Sequence, residues 1–102
     1  MTIADDWTSG DTTALFEAVL SVETVDEAER FFRDLCTLHE LEELTQRWAV
    51  VRRLADGIPY RKIAEETGSS SATITRINQW LRHGAGGYAL VLDRLGLGTD
   101  ER

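Results

Sequence analysis

Four polar side chains near residue 75 have the types and the spacing needed to contact nucleic acid. They are Thr73, Thr75, Arg76 and Gln79. Arg and Gln can hydrogen-bond to base edges, and Arg also pairs with phosphate oxygens. Ile74, Ile77 and Leu81 are apolar and lie three and four residues apart, which is the spacing of a buried helical face. The segment is therefore predicted to form an amphipathic helix with its polar side turned to solvent.

A second short helix and a tight turn are predicted immediately before this one, so that the unit spans residues 58–82. Pro59 suits a first helical turn, and the small Ala64 permits close approach of the next helix. Gly68 can adopt the left-handed backbone that ends a helix, and the serines at 69–71 can cap the next one. This order predicts a helix-turn-helix, whose second helix lies in the major groove of DNA. An ordinary helical hairpin in a small bundle is the alternative interpretation.

The length and composition indicate one small soluble domain. A chain of 102 residues has the size of a single domain, and a hydrophobic content of 42% is enough for a core. The one cysteine excludes an intramolecular disulfide and fits a reducing compartment. The sequence shows no signal peptide and no apolar run approaching the ~20 residues of a membrane span. We therefore expect a cytoplasmic protein.

The net charge of −7 is unevenly distributed. Residues 1–46 contain two Arg and twelve Asp or Glu, a net of −10, whereas residues 47–83 contain seven Lys or Arg and three acidic residues, a net of +4. Residues 84–102 add a net of −1. A phosphate backbone senses local charge, because salt screens beyond about 8–10 Å. The basic segment coincides with the predicted helix-turn-helix and the helix before it, which favours DNA as a partner.

Hydrophobic residues recur every three or four positions in four further segments, which predicts four more helices. These run from Asp11 or Thr12 as cap to Ser21, from Thr24 to Cys36, from Thr37 to Asp56, and from Tyr88 to Leu95. We therefore expect an all-α fold, with a flexible tail at 1–10, a single domain at 11–95 and a frayed tail at 96–102.

The predicted helices carry more apolar side chains than the interior of a small single domain readily buries. The large ones that need cover are Phe16, Phe31, Phe32, Trp48 and Val91. A second copy of the chain supplies a covering surface, and a two-fold dimer sets two recognition helices about 34 Å apart, as a palindromic site requires. A homodimer is the prediction, and a compact monomer is the alternative.

Other residues with possible chemistry are better explained as structural. Cys36 and His39 lie close in sequence, but a zinc site needs four ligands and His83 is the only other histidine. The adjacent carboxylates Glu65–Glu66 resemble a solvated face, and Gly84–Gly87 lacks the Lys and Ser/Thr of a phosphate-binding loop. We therefore predict no catalytic residue, no metal site and no cofactor.

The chain resembles a known family in two places. Residues 35–57, LCTLHELEELTQRWAVVRRLADG, followed by Ala-Thr-Ile-Thr-Arg at 72–76, resemble the Trp repressor superfamily and most of all its YerC/YecD branch. The likeness runs from about residue 15 to residue 95. It implies a Trp repressor-like helical domain in which two chains intertwine through their outer helices. It also implies a helix-turn-helix transcriptional regulator.

In the Trp repressor, tryptophan binds between the long helix and the recognition helix and orients the part that reads DNA. The resemblance places Arg47 and Arg76 at the two arginines that contact this ligand, and Thr37 at a backbone or hydroxyl contact. Ile77 replaces a glycine of that family and Trp80 replaces a serine, and both add bulk where the indole would lie. We therefore expect a vestigial pocket and no dependence on tryptophan. A different small-molecule effector stays open.

The resemblance and the residue types together assign the DNA contacts. The predicted DNA-binding residues are Arg61, Lys62, Ser70, Ser71, Ala72, Thr73, Thr75, Arg76 and Gln79. Small residues at the helix start read groove shape, methyl groups and ordered water. Arg76 either pairs with a guanine or clamps a phosphate. Arg52 and Arg53 are further candidates for phosphate contacts, which position a protein without reading sequence.

Two functions fit these observations. The first is a dimeric, sequence-specific DNA-binding regulator of transcription, a repressor, that acts on double-stranded DNA. The second is a protein-interaction module that uses the same scaffold without specific DNA binding, with the acidic first helices as its contact surface. The sequence offers no constellation that supports an enzyme.

Overall fold

The computed structural model describes residues 7–98, and this part of the chain contains six helices and no strand. They are α1 Gly10–Ser21, α2 Val25–Leu35, α3 Leu38–Ala55, α4 Tyr60–Thr67, α5 Ser71–His83 and α6 Gly87–Leu95. The all-α prediction is confirmed. Two compact units divide between Leu41 and Glu42, within α3. Residues 1–6 and 99–102 of the predicted tails lie outside the described residues.

In the first unit, side chains cap the start of each helix. The Ser9 hydroxyl accepts a hydrogen bond from the Thr12 N–H at 3.1 Å, so the cap of α1 lies two or three residues before the predicted cap, Asp11 or Thr12. That prediction was wrong because three neighbouring residues can all act as caps. The Thr24 hydroxyl caps α2 as predicted, accepting from the Glu27 N–H at 3.0 Å.

Thr37 begins α3 with a reciprocal pair of hydrogen bonds. Its hydroxyl accepts from the Glu40 N–H at 3.0 Å, and its own N–H donates to the Glu40 carboxylate at 2.9 Å. This is a capping box, which satisfies two backbone donors that a helix start leaves unpaired. The predicted cap of the third helix is confirmed.

The helices α1 and α2 contain no buried residue. Leu20 is 82% exposed, and Phe16 and Leu35 are 47% and 49% exposed. Phe16 contacts Trp7 edge-on, with ring centroids 6.1 Å apart, and Phe31 contacts Phe32 in the same manner. The apolar stripes predicted for these helices therefore exist, but a single chain leaves them uncovered.

The second unit holds the hydrophobic core. Its buried members come from four helices and are Val50, Val51, Leu54, Ile63, Ile74, Ile77 and Leu92. The end of α3 supplies the first three, so the long helix is the element on which α4, α5 and α6 assemble. Burying an aliphatic side chain of this size contributes about 1.5–3 kcal/mol, which makes this cluster the main source of stability in the unit.

A short turn joins α4 to α5 and forms the predicted helix-turn-helix. Pro59 lies just before α4, at its N-cap. Gly68 ends α4 with a left-handed backbone at φ +77°, which glycine adopts without steric cost. Of the three serines that follow, Ser70 is the cap, and its hydroxyl accepts from the Thr73 N–H at 3.1 Å. The sequence pattern thus predicts both the end of α4 and the start of α5.

The last helix packs one residue, Leu92, into the core. It begins at Gly87, one residue before the predicted Tyr88, after Gly86 in a left-handed conformation. The ring of Tyr88 lies beside that of Trp48 on α3, with centroids 6.3 Å apart. Across the described residues, no helix combines the length and hydropathy that crossing a membrane requires.

Candidate nucleic-acid interface

The helix α5 presents a polar face to solvent because its apolar face is held in the core. Ile74 and Ile77 are 0% and 1% exposed. The exposed residues on the other side are Ser71, Ala72, Thr75, Arg76 and Gln79. At 3.6 residues per turn these positions fall within an arc of about 140°. The structure therefore brings the residues predicted to contact bases onto one accessible face.

The start of α5 is organised by Ser70 and Thr73. The Ser70 hydroxyl accepts from the Thr73 N–H, and the two hydroxyls lie 3.1 Å apart. Both residues were predicted to contact DNA, and both serve as a local cap in the free chain. A capped helix start carries a partial positive charge and suits a phosphate oxygen. The hydrogen bond between the two hydroxyls uses one of their protons, so the other hydroxyl can still donate to a phosphate oxygen.

The predicted phosphate contacts differ in what their side chains do. Arg52 and Arg61 are exposed, and so is Lys62, whose Nζ lies 3.9 Å from a Glu66 carboxylate oxygen. Arg53 is engaged within the chain: its Nε donates to Glu66 Oε1 at 2.8 Å, and its Nη1 donates to the Ala49 carbonyl at 3.0 Å. A phosphate would have to compete with Glu66 for Arg53. Glu66, interpreted as part of a solvated face, is exposed and also pairs with Arg53.

A hydrogen bond from Gln46 also links α3 to the helix-turn-helix, and the sequence analysis missed it. Its side-chain Nε2 donates to the carbonyl of Thr67 at 2.8 Å, across 21 residues of sequence. Thr67 is the last residue of α4, next to the turn. No local pattern marks Gln46, because a glutamine on a half-exposed helical position is ordinary and its partner is a backbone atom.

The residues predicted to form a vestigial ligand pocket differ in their exposure. Arg47 and Arg76 are exposed, and Ile77 is buried in the core. Thr37 belongs to the first unit, where it caps α3. Trp80 is 46% exposed and lines an open apolar cavity of about 690 Å³ in the second unit.

That cavity lies between the ends of α5 and α6 and the side of α3. The residues that line it are Trp48, Trp80, Gly84, Ala85, Gly87, Tyr88, Val91 and Leu95. The lining residues carry no charged group. Trp80 therefore lies beside α3 and α6. Ile77, on the same helix, packs in the core.

The match to the Trp repressor protein family extends over residues 11–96, most of the chain. This chain belongs to the Trp repressor family. The protein YerC of Bacillus subtilis (strain 168) is 46% identical over 81 residues, which are 79% of this chain and 78% of YerC. The resemblance stated from the long helix and the Ala-Thr-Ile-Thr-Arg segment is confirmed.

Two solved structures share the fold of this family member. A TrpR-like protein from Eubacterium eligens ATCC 27750 superposes with a TM-score of 0.85 at 42% identity, covering 91% of this chain and 96% of that one. A candidate Trp repressor from Staphylococcus aureus gives a TM-score of 0.88 at 34% identity, covering 98% of this chain and all of that one. The helical architecture, including the helix-turn-helix, is therefore that of the family.

Unfolding experiments can test whether Arg53 contributes more to stability than its neighbour Arg52. Arg53→Ala is expected to lower the free energy of unfolding by about 1 kcal/mol, because it removes the bonds to Glu66 and to the Ala49 carbonyl. Arg52→Ala is the matched control on the same helix, and we expect a change within about 0.5 kcal/mol. Urea unfolding followed by tryptophan fluorescence at one protein concentration measures both. Equal losses in the two variants would contradict this distinction.

Proposed function

We propose that this protein is a dimeric transcriptional regulator, a repressor, that binds specific sequences of double-stranded DNA through α5. The observation that carries the proposal is the exposed polar face of α5, which is opposite Ile74 and Ile77 in the core. A helix oriented in this way can enter the major groove with its polar side chains toward base edges. Membership in the Trp repressor family supports the same function.

The charge distribution supports DNA as the partner. The net of +4 over residues 47–83 is carried by α4, α5 and the end of α3, and Arg52, Arg61 and Lys62 are exposed there. Contacts from such residues to phosphates set the position of the protein on the duplex. The acidic residues of the first unit oppose non-specific binding by raising the negative charge of the molecule.

Two kinds of base contact are assigned to α5. Ser71, Ala72 and Thr75 are small and exposed, so they suit thymine methyl groups and ordered water in the groove. Arg76 and Gln79 lie three residues apart on the same face and have longer, hydrogen-bonding side chains. Arg76 donates to a guanine edge in this proposal, and a phosphate contact is the alternative.

The functional unit in this proposal is a homodimer. The first unit leaves the apolar side chains of α1 and α2 uncovered, including Phe16, Leu20 and Leu35. Uncovered apolar faces of this kind are costly in water and are normally buried against a partner. A second copy with two-fold symmetry covers them and presents two α5 helices to the two halves of a palindromic site.

We further propose that DNA binding does not require tryptophan. Ile77 is buried among the core residues behind α5, so a protein side chain already supports the recognition helix from within. Trp80 adds an indole from the same helix. The protein acts in the cytoplasm in this proposal.

A protein-interaction module is the second candidate. The acidic charge of residues 1–46, a net of −10, and the uncovered apolar residues of α1 and α2 favour it, because a basic partner protein could bind there. Complex formation that persists at high salt without DNA would identify this function.

The DNA proposal predicts a defined loss when Arg76 is truncated. Selection from a random pool of duplexes gives the cognate sequence, and Arg76→Ala is expected to weaken its binding by about 1–3 kcal/mol through loss of a bidentate base contact. Arg30→Ala on α2 changes the net charge equally, and its ion pair with Asp26 is solvent-exposed. Fluorescence anisotropy should show near-wild-type affinity for this control. Wild-type affinity in Arg76→Ala would contradict base readout by Arg76.

The dimer proposal predicts a solution mass twice the 11.5 kDa of one chain. Leu20→Asp should shift the protein toward monomer, because the charge would be buried in the interface although the residue is 82% exposed in one chain. Ala14→Asp adds the same charge at an exposed position of α1 that is turned away from Phe16 and Leu20, and it should leave the dimer intact. Sedimentation equilibrium measures both. A monomeric wild type at micromolar concentration would refute the dimer.

Calorimetry tests the independence from tryptophan. Titration of L-tryptophan into the protein should give no saturable heat, because Ile77 is packed in the core and leaves no room for an indole at that position. Cognate DNA binding should be the same with and without millimolar tryptophan. An isotherm with one tight site per subunit would show that the pocket is functional.

A further inference from the structure

The contact between Gln46 and Thr67 joins α3 to the part of the molecule that presents α5. The Gln46 amide donates to the Thr67 carbonyl at 2.8 Å, in a partly buried position. The last carbonyls of a helix have no partner within the helix, and Thr67 is the last residue of α4. The side chain of one helix therefore completes the hydrogen bonding of another at the edge of the turn.

The same residue, Thr67, organises the turn itself. Its hydroxyl donates to the Ile63 carbonyl at 2.7 Å and accepts from the Ser69 N–H at 3.2 Å. Ser69 is buried, and Gly68 lies against Gln46, whose Nε2 would be 3.9 Å from an added Cβ. Gln46 is thus bonded to the end of α4 and lies close to the turn.

We propose that Gln46 is a positioning residue for DNA recognition. Its hydrogen bond to Thr67 fixes the turn relative to α3, and the turn sets where α5 begins. The recognition helix is held ready for DNA by a bond within the protein. This inference rests on the proposed function, because positioning matters only if α5 reads DNA.

The second link between α3 and α4 does not duplicate this role. Arg53 binds Glu66, one residue before Thr67, through an ion pair whose side chains are 29% and 36% exposed. Salt weakens ion pairs that water can reach, whereas the Gln46 bond joins two neutral groups. At the ionic strength where DNA binding takes place, Gln46 is therefore the more constant of the two links.

Positioning affects specific binding more than non-specific binding. Base readout needs several side chains of α5 to reach their partners at once. A mobile turn would have to become ordered when the specific complex forms, and this cost lowers the specific affinity. Non-specific binding depends on phosphate contacts such as those assigned to Arg52 and Arg61 on α3 and α4, which lie before the turn. Loss of the Gln46 bond should therefore reduce the ratio of specific to non-specific affinity.

Three variants separate the hydrogen bond from other effects. Gln46→Met keeps an unbranched side chain of similar length and removes the donor. Gln46→Lys keeps a donor that can reach the Thr67 carbonyl. Thr45→Met is the control, because it places the same side chain at an exposed neighbouring position of α3.

Hydrogen exchange of the free protein tests the structural step without DNA. In Gln46→Met, the amides of Gly68 and Ser69, which donate to the Ala64 carbonyl and the Thr67 hydroxyl, should exchange about three- to tenfold faster, the effect of one lost hydrogen bond, while amides of α6 keep their rates. Gln46→Lys should restore protection, and Thr45→Met should match the wild type. Unchanged exchange at the turn, an equal increase in every helix, or failure of Gln46→Lys to restore protection would overturn the proposal.

Binding to duplexes tests the functional step. Gln46→Met should bind the selected cognate duplex about three- to tenfold more weakly and bind a scrambled duplex as the wild type does. If the amides of the turn exchange faster but the affinity for the cognate duplex is unchanged, Gln46 stabilises the turn without contributing to DNA recognition. A wild type that selects no sequence would refute the proposed DNA function, while hydrogen exchange would still decide whether Gln46 holds the turn.

Discussion

The burial of Ile74 and Ile77 is the constraint on which the rest of the site depends. Both residues are essentially inaccessible in a core that α3 supplies with Val50 and Val51. Because a helix advances about 100° per residue, fixing these two positions fixes the direction of every other side chain on α5. The outward face of Thr75 and its neighbours is therefore a consequence of apolar packing, and it does not depend on any contact made by the polar residues themselves.

Local signals explain why most of the fold was predictable from the sequence. The caps at Thr24, Thr37 and Ser70 and the left-handed glycine at Gly68 involve partners within four residues, so residue type and spacing suffice to identify them. The start of α1 was misplaced for the same local reason. Ser9 competes with two other capping residues nearby, and the choice is made by the geometry of the entering chain.

Long-range polar contacts could not be predicted in this way. Gln46 reaches a backbone carbonyl 21 residues away, and Arg53 pairs with Glu66 across 13 residues. Neither has a sequence pattern, since their geometry follows from how α4 lies on α3. The periodicity of α1 and α2 has a related limit: it identifies which side of each helix is apolar, but Leu20 and Leu35 are exposed in a single chain, and periodicity does not say what covers them.

In the proposed DNA complex, the charge distribution makes precise positioning of α5 more important than in a strongly basic protein. Because salt screens charges beyond about 8–10 Å, the duplex would interact mainly with the local net of +4 over residues 47–83, and the net charge of the whole chain is −7. With less free energy available from phosphate contacts, a larger share of the affinity has to come from short-range contacts by α5. Such contacts depend steeply on distance and direction. A recognition helix that core packing and Gln46 already hold in position therefore loses less free energy to ordering when it binds DNA.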